Sequence, residues 1–329
     1  MSMPICRRAC IVLLSTCATL ILAAQFPTIV RAEATYPSRP ITLIVPYPAG
    51  GATDVLARFL GSKLQESWGQ SVVIQNKPGA SGIIGAQYVA QAAPDGYTVL
   101  VGVTSMIQQP AMMSTLPYDP LKDFAPVVQT ASTSNLFLVP LDSPAKSLKE
   151  FVDLAKANPG QYNFGSWGPG SSAHIHGELL NQQAGLDLTH IPFQGSAPVM
   201  TNLVGGQISS AFVDIPSATP QLKSLRALAV TGPQRIPSLP DVPTFTELGY
   251  KSFEPRGWHG LFLPAATPKP IVQKLSAEIN RILKLPDTEE KIKTLGMIRG
   301  GGTPEEFSAA MRTDAAIYAE IIKAAGIKL

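Results

Sequence analysis

Two glycine-rich loops constrain the fold of this chain more than any other feature. The first spans residues 48–54 (PAGGATD) and the second spans residues 165–172 (GSWGPGSS). Each follows a short apolar run typical of a strand and precedes an amphipathic run typical of a helix. This order leaves backbone N–H groups bare at the start of the helix, where they can hold a carboxylate or a phosphate. The repeat predicts an anionic ligand gripped from two sides.

The first 32 residues have the composition of an export signal. Arg7 and Arg8 precede the uncharged run Ala9–Ala24, and small residues lead up to Ala32. We predict a signal peptide (1–32) cleaved after Ala32 and a mature protein in the periplasm. A retained membrane anchor is an alternative, although the run is shorter than the ~20 residues that a span needs. A lipid anchor on Cys17 is a second alternative.

Cysteine usage and charge exclude several classes of protein. The chain has three cysteines, and all of them lie within the predicted signal peptide (Cys6, Cys10 and Cys17). The mature chain therefore has no disulfide, cysteine nucleophile or thiolate metal site. Cleavage also removes three arginines and no acidic residue, so the formal charge falls from +3 to zero. A neutral surface argues against binding to nucleic acid or to an anionic membrane.

Hydrophobic periodicity predicts an α/β chain. A buried strand at 41–45, a helix that begins near Thr53 or Asp54 and ends at Trp68, and further elements at 72–74, 83–89 and 97–103 make a βαβαβ unit, the start of a doubly wound sheet. Later strands are predicted at 136–140, 162–164, 188–192, 210–214, 225–230 and 260–263. Later helices are predicted at 148–157, 172–183, 196–204, 270–283 and 304–325.

These elements divide into two predicted lobes joined by two crossings. Residues 33–134 and 258–329 form lobe 1, and residues 135–257 form lobe 2. Ligands of open α/β sheets bind at the carboxyl ends of the strands, and both glycine-rich loops follow strands. We therefore predict a ligand cleft between the lobes and a hinge at the crossings.

The first loop offers an anion site formed by backbone groups. The N–H groups of Gly50 and Gly51, next to Ala49, would face the anion, and Asp54 would orient N–H groups or water molecules. A tight turn with Asp54 as the N-cap of the helix is the alternative interpretation. The loop is neither a dinucleotide fingerprint nor a P-loop, so nucleotide binding has little support.

The second loop adds side-chain donors to the same chemistry. Ser166, Ser171 and Ser172 supply hydroxyl groups, Trp167 supplies a flat apolar face, and His174 lies in the first turn of the next helix. A flexible loop capped by Ser172 is the alternative. The functional interpretation is favoured because a tryptophan in a polar loop is costly unless it packs against something.

Metal and catalytic motifs are weak. His174 and His176 lie near Glu178, but residues two apart diverge on a helix, and HExxH is absent. We predict no metal and no cofactor. The nucleophile elbow GxSxG is also absent, so an exported α/β hydrolase stays only as an alternative, and no catalytic residue is predicted.

The segment at residues 253–260 (FEPRGWHG) offers groups for a second end of the ligand. Arg256 could pair with a far carboxylate, and Trp258 and His259 could wall an aromatic ring. The alternatives are a solvated Arg256 paired with Glu254 and an aromatic hinge packed in the core.

Nine short motifs resemble those of the Bug/TctC family, the extracytoplasmic solute-binding proteins of tripartite tricarboxylate transporters. They cover the chain beyond the leader in order: YPSRPI (36–41), VPYPAGGATD (45–54), NKPGASG (76–82), PDGY (94–97), YNFG (162–165), GSSAH (170–174), IPFQG (191–195), LVGG (203–206) and GWHGLF (257–262).

The resemblance implies a two-lobed, type II-like periplasmic-binding-protein fold of the Venus-flytrap kind. It implies a monomer that binds a small carboxylate at the loops 49–54 and 165–174, with water molecules near Asp54, and that hands the ligand to the membrane subunits of a transporter. Pocket positions common in the family fall on Thr104, Ser105, Gln194 and Asp214.

Three departures from the family pattern, at Trp167, Arg256 and His259, point to an aromatic or a two-headed carboxylate, including an aromatic dicarboxylate. A solute sensor that feeds a membrane receptor is the remaining alternative from a different class. A binding protein, not an enzyme, is the expected class.

Overall fold

The structure is a computed structural model that describes residues 36–254 and 256–328. The predicted signal peptide and its cleavage after Ala32 lie outside the described residues, as do the alternative anchors. Within the described ranges, no helix is long and apolar enough to cross a membrane.

A six-stranded mixed sheet forms the first half of the fold. Its strands are β1 (Ile41–Val45), β2 (Val72–Asn76), β3 (Thr98–Val103), β4 (Phe124–Thr133), β10 (Gly257–Pro264) and β11 (Ile298–Gly301). The order across the sheet is β11-β4-β10-β3-β1-β2. β1 pairs in parallel with β2 and β3, whereas β10 lies antiparallel between β3 and β4.

A five-stranded mixed sheet forms the second half. Its strands are β5 (Asn135–Pro140), β6 (Asn163–Ser166), β7 (Thr189–Pro192), β8 (Ser210–Asp214) and β9 (Leu225–Val230). The order is β7-β6-β8-β5-β9, with β6 parallel to β7 and β8. In each sheet the parallel strands end at the same edge, and the loops that follow these strands lie along that edge.

Helices connect and cover the strands. In the described residues they are α1 (Ala52–Trp68), α2 (Ile83–Ala90), α3 (Ser105–Gln108), α4 (Leu148–Ala157), α5 (Ser172–Ala184), α6 (Ser196–Val204), α7 (Ile215–Ala218), α8 (Lys269–Leu283), α9 (Pro286–Thr294) and α10 (Pro304–Ala324). The two mixed sheets and their helices confirm the predicted α/β class.

The chain passes between the two sheets at two places. Ser134 separates β4 of the first sheet from β5 of the second, and the chain returns between Val230 and Gly257. The lobe limits predicted from the sequence, 134/135 and 257/258, stay a prediction.

Burial explains why the central elements form. Both faces of β8 are buried, and β1 is buried at four of its five positions, as expected for strands covered by helices on each side. In α1 the apolar residues Leu56, Leu60 and Leu64 are buried on one face, while Arg58 is exposed.

The sequence did not predict β4, β11 and α9. β4 contains Pro126 and several polar residues, and its pairing with β10 shifts register twice, so neither a continuous apolar run nor a clean alternation marks it. The start of α1 also differs from the prediction. The N-cap is Gly51, and both Thr53 and Asp54 lie inside the first turn.

An aromatic cluster packed against the second sheet anchors the returning segment 231–254. Phe245 and Phe253 stack with ring centroids 4.1 Å apart, and Phe212 of β8 packs against both. His176 of α5 stacks on Phe253, and burial lowers the pKa of this histidine to about 3. The neutral ring accepts a hydrogen bond at its Nδ1 from Asn135 Nδ2 at 3.1 Å. The two predicted crossings are therefore tied to the same core.

Gly177 of α5 tests how closely this helix packs on β6. We expect Gly177→Ala to destabilise the protein by about 1–3 kcal/mol, because the added methyl would overlap the Phe164 ring. In an open helix the same substitution would be stabilising by about 1 kcal/mol. Urea unfolding of the variant, of Phe164→Leu and of the double variant measures the coupling. Strictly additive effects would contradict the packing described here.

Candidate ligand-binding site

A cleft at the carboxyl ends of the parallel strands forms the candidate site. It holds about 630 Å³ of space, including its opening to solvent. The residues that line it come from both sheets: Tyr47, Pro48, Gly51, Ala52, Thr53, Val103, Thr104, Ser105, Thr133, Asn135, Trp167, Ser172, Gly195, Ser196, Ala197, Asp214, Gly257, Trp258 and His259. A position at the carboxyl ends of the strands is typical of small-molecule sites in α/β proteins.

Asp54 holds the first glycine-rich loop in shape. Its Oδ2 accepts the Gly50 N–H at 3.0 Å and Arg58 Nε at 2.9 Å, and its Oδ1 accepts Asn76 Nδ2 at 2.9 Å. Burial raises the pKa of this carboxyl, but the hydrogen bonds from Arg58, Gly50 and Asn76 together outweigh burial and hold the pKa below its usual value. Asp54 does not line the cleft, and the Gly50 N–H is already bonded.

The unbonded N–H groups lie one turn further, at the start of α1. The N-cap Gly51 has an extended backbone and supplies no side-chain cap, and the first bond of the helix runs from Val55 N–H to the Gly51 carbonyl at 3.0 Å. Within the described structure, the N–H groups of Ala52, Thr53 and Asp54 consequently have no partner. Gly51, Ala52 and Thr53 line the cleft, so the positive end of the helix dipole is directed at it.

The second glycine-rich loop also uses some of its own donors. Gly168 N–H bonds to Ser166 Oγ at 3.1 Å, and Gly170 N–H bonds to His174 Nδ1 at 3.3 Å. Ser171 caps α5 by accepting the His174 N–H at 3.2 Å. The N–H groups of Ser172 and Ala173 have no partner among the described residues, and Ser172 lines the cleft.

A buried histidine pair supports this loop from behind. His174 and His190 stack with centroids 4.1 Å apart, and His190 Nε2 lies 2.7 Å from Ser166 Oγ. Burial, reinforced by the charge of His174 and opposed by Glu178, lowers the pKa of His190 to about 4. Neither histidine lines the cleft, so His174 shapes the loop that carries Trp167 and Ser172.

Asp214 and His259 face the cleft from different sheets. Asp214 Oδ2 accepts Ser196 Oγ at 2.6 Å, and its Oδ1 accepts the Ser217 N–H at 3.0 Å. His259 is 4% exposed, and its Nδ1 is buried with no hydrogen-bond partner in the described structure. Burial lowers the pKa of His259 to about 4 against the opposing charge of Asp214, so the ring is neutral at neutral pH.

The structure brings half of the predicted site residues together. Those that line the cleft are Gly51, Thr104, Ser105, Trp167, Ser172, Asp214, Trp258 and His259. Those placed outside its lining are Ala49, Gly50, Asp54, Ser166, Ser171, His174, Gln194 and Arg256. Arg256 packs beside Gly232, with its Nε buried and unpartnered in the described structure. Contact of these residues with a ligand stays a prediction.

Sequence reasoning missed several lining residues. Ala52 and Thr53 were hidden because the helix starts earlier than predicted, at the residue after Gly51. Ser196 and Ala197 begin α6, whose N-cap Gly195 also lines the cleft, and the sequence IPFQGS before that helix was an available signal. Thr133 and Asn135 flank Ser134, where the chain passes from the first sheet to the second. Their place in the cleft lining depends on the pairing of β4, which the sequence did not predict.

The chain belongs to the family described as "Tripartite tricarboxylate transporter family receptor" (TctC), whose model matches residues 56–326. The structure of the periplasmic binding protein BugD is 34% identical, with a TM-score of 0.85 over 89% of this chain and 99% of that one. Rpa4515 of Rhodopseudomonas palustris with adipate is 34% identical, with a TM-score of 0.86 over 89% and 99% of the two chains. MatC from the same species with bound malate is 33% identical, with a TM-score of 0.82 over 87% and 100%.

These similarities confirm the resemblance to Bug/TctC proteins and the two-lobed periplasmic-binding-protein fold. The chain is a solute-binding protein and not an enzyme, which removes the hydrolase alternative. The 2.7 Å contact between Ser166 and His190 is accordingly structural, and Ser166 is fully buried away from the cleft lining.

The ionised carboxylate of Asp54 makes the stability of the first glycine-rich loop depend on pH. The pKa of Asp54 is lower in the folded than in the unfolded state. Its carboxylate therefore contributes to the free energy of unfolding above the unfolded pKa of about 3.9, and this contribution is lost as the pH falls through the folded pKa. We expect Asp54→Asn to lower the free energy of unfolding at neutral pH by about 1–3 kcal/mol, because the neutral amide keeps one acceptor oxygen for the three donors of Gly50, Arg58 and Asn76.

The difference from the wild type should shrink as the pH is lowered below about 3.9. Urea unfolding at several pH values measures it, with Asp153→Asn, which removes an exposed pair with Lys149, as the matched control. A loss for Asp54→Asn that is equal at all pH values would contradict a role for the ionised carboxylate.

Proposed function

We propose that this protein captures a small carboxylate outside the cytoplasm and delivers it to the membrane subunits of a tripartite tricarboxylate-type transporter. One observation carries the proposal. Unpartnered N–H groups at the starts of α1 and α5 border one cleft from the two sheets. Such groups recognise an anion without any lysine or arginine.

Simple energetics support a carboxylate held in this way. A hydrogen bond to a charged group contributes about 1.5–3 kcal/mol, and placement at a helix N-terminus contributes about 0.3–2 kcal/mol. Micromolar affinity corresponds to about 8 kcal/mol, so three or four such bonds and some apolar burial are sufficient.

The ligand class that we favour is an aromatic carboxylate or a dicarboxylate. The half-buried Trp167 offers a flat face within the cleft. Structures of relatives that contain adipate and malate support a ligand with a second polar end. Arg256 packs outside the lining, so we place the recognition of that second end on cleft residues.

Closure of the two proposed lobes, 33–134 with 258–329 and 135–257, would complete the site. Contacts between loops of the two sheets support this motion. Ser172 Oγ donates to Gln108 Oε1 at 3.0 Å, and Gly195 packs against Pro48. Exclusion of water around the ligand strengthens each N–H contact with the anion.

The proposal includes export to the periplasm, removal of the leader near Ala32 and action as a monomer. The zero formal charge left after residues 1–32 are removed supports a small-molecule partner and not a nucleic acid. BugD, which has the same fold, is a periplasmic binding protein.

Isothermal titration calorimetry of the mature protein against a panel of carboxylates tests the function. The panel contains aliphatic monocarboxylates, dicarboxylates, hydroxy acids and aromatic acids, each with its methyl ester or amide as an uncharged control. We expect saturable binding of at least one acid and none of its uncharged analogue. The absence of binding by every acid in the panel, or equal binding of an acid and its amide, would overturn the proposal.

Ala52→Pro tests the backbone donors directly. Ala52 is the first residue of α1, where proline fits the helix, and the extended backbone of Gly51 is compatible with a following proline. The substitution removes one N–H, so we expect about a tenfold or greater loss of carboxylate affinity.

Ala52→Val is the matched control, because it adds a similar volume and keeps the N–H. Titration calorimetry and thermal unfolding of both variants separate affinity from stability. Equal affinities of the two variants would show that the Ala52 N–H makes no bond with the ligand.

A further inference from the structure

The cleft has a second polar end that the helix N-termini do not explain. β10, which carries His259, lies two strands from β1 in the first sheet, a lateral distance of about 10 Å. Asp214 ends β8, next to the β6 strand that leads into the second loop. A ligand held at the start of α1 and long enough to cross the cleft would reach Asp214 and His259.

This second end carries negative charge and no compensating cation. Among the residues that line the cleft, Asp214 is the only carboxylate, and none is a lysine or an arginine. Ser196 and the Ser217 N–H each donate one hydrogen bond to Asp214, one on each oxygen. Each carboxylate oxygen has two acceptor sites, so Asp214 retains capacity for a further donor from the ligand.

His259 supplies no positive charge to pair with Asp214 at neutral pH. Its ring is 4% exposed, its Nδ1 has no partner in the described structure, and burial keeps the ring neutral at neutral pH. An orphaned, almost fully buried ring nitrogen at a cavity wall is a group that a ligand would satisfy.

On the basis of the proposed function, we propose that the carboxylate of Asp214 accepts a hydrogen bond from a neutral O–H group at the second polar end of the ligand. A hydroxyl group of a hydroxy acid would donate directly. A second carboxyl group would bind with one proton taken up from solvent and shared with Asp214, because two carboxylates in one desolvated site cannot both stay ionised.

Other titratable groups near the cleft supply no cation to its lining. Burial raises the pKa of Tyr47 to about 12, opposed by a bond with Ser105, so this residue stays neutral. His176, behind Asn135, is neutral because burial lowers its pKa to about 3. Asp314 of α10 accepts the indole N–H of Trp258 at 3.1 Å, and burial raises its pKa. Asp54 and Arg58 pair behind α1.

Three ligands of six carbon atoms each, adipate, 6-hydroxyhexanoate and hexanoate, test which group donates to Asp214. Their second ends are a carboxyl group, a hydroxyl group and a methyl group. Calorimetry in buffers of different ionisation enthalpy counts the protons taken up. We expect 6-hydroxyhexanoate to bind at least tenfold more tightly than hexanoate, with no proton uptake. Adipate should take up about one proton, and its Kd should rise about tenfold per pH unit between about pH 6 and pH 8.

Asp214→Asn locates the proton. Asparagine still caps α7 through its oxygen, and its amide donates to a carboxylate, so the fold is retained. We expect proton uptake with adipate to vanish and its affinity at pH 8 to rise at least tenfold. Asp187→Asn, an exposed carboxylate of the same sheet region, is the matched control and should change neither quantity.

His259→Gln separates the two groups, since it removes the imidazole and keeps a neutral side chain. Proton uptake should persist in this variant. Its loss would place the proton on His259 and overturn the proposal, as would adipate binding without proton uptake in the wild type.

The outcomes separate this inference from the proposed function. No binding of any carboxylate in the wider panel refutes the function itself. Binding of adipate and hexanoate with equal affinity and no proton uptake refutes only the role of Asp214. If the panel shows a different carbon skeleton to bind more tightly, the same three-ligand series is made on that skeleton.

Discussion

The proposed recognition of the ligand depends on backbone N–H groups that have no hydrogen-bond partner within their own helix. At the start of α1, Gly51 gives no side-chain cap, and the N–H groups of Ala52 and Thr53 therefore have no partner among the described residues. The start of α5 is capped by Ser171 only at the His174 N–H. Buried, unbonded donors are unfavourable in an empty site, and this cost disappears when an anion accepts them.

Side chains that do not touch the cleft keep these donors in place. Asp54 closes the first loop on Gly50 and is itself fixed by Arg58 and Asn76. Ser166, His174 and His190 do the same for the second loop, through bonds to Gly168 and Gly170. Each loop thus uses its outer N–H groups for its own shape and leaves the first-turn N–H groups for the ligand. A cleft lining with no lysine or arginine can recognise a carboxylate in this way.

The sequence predicted the α/β class and most strands of the two sheets, because these depend on local patterns. The runs at β1, β8 and β9 are continuous and apolar, and the glycine-rich loops that follow strands mark the cleft edge. Long-range pairing was not predictable. β4, which contains Pro126, forms its strand through pairing with the distant strands β10 and β11. Asp54 was predicted to lie at the ligand site and to orient N–H groups or water molecules. In the structure it accepts the Gly50 N–H from outside the cleft lining, and only the folded loop shows this position. His190 reaches Ser166 only because β6 and β7 pair in parallel.

The central claim is that one carboxylate is bound by backbone N–H groups from both lobes. Amide ¹H–¹⁵N NMR during titration with a carboxylate found to bind tests it most directly. The account predicts that the amide protons of Ala52, Thr53, Ser172 and Ala173 shift downfield together, with one common Kd, while those of Gly50 and Gly168 move much less. Shifts confined to one of the two helices, or largest at Gly50 and Gly168, would contradict it.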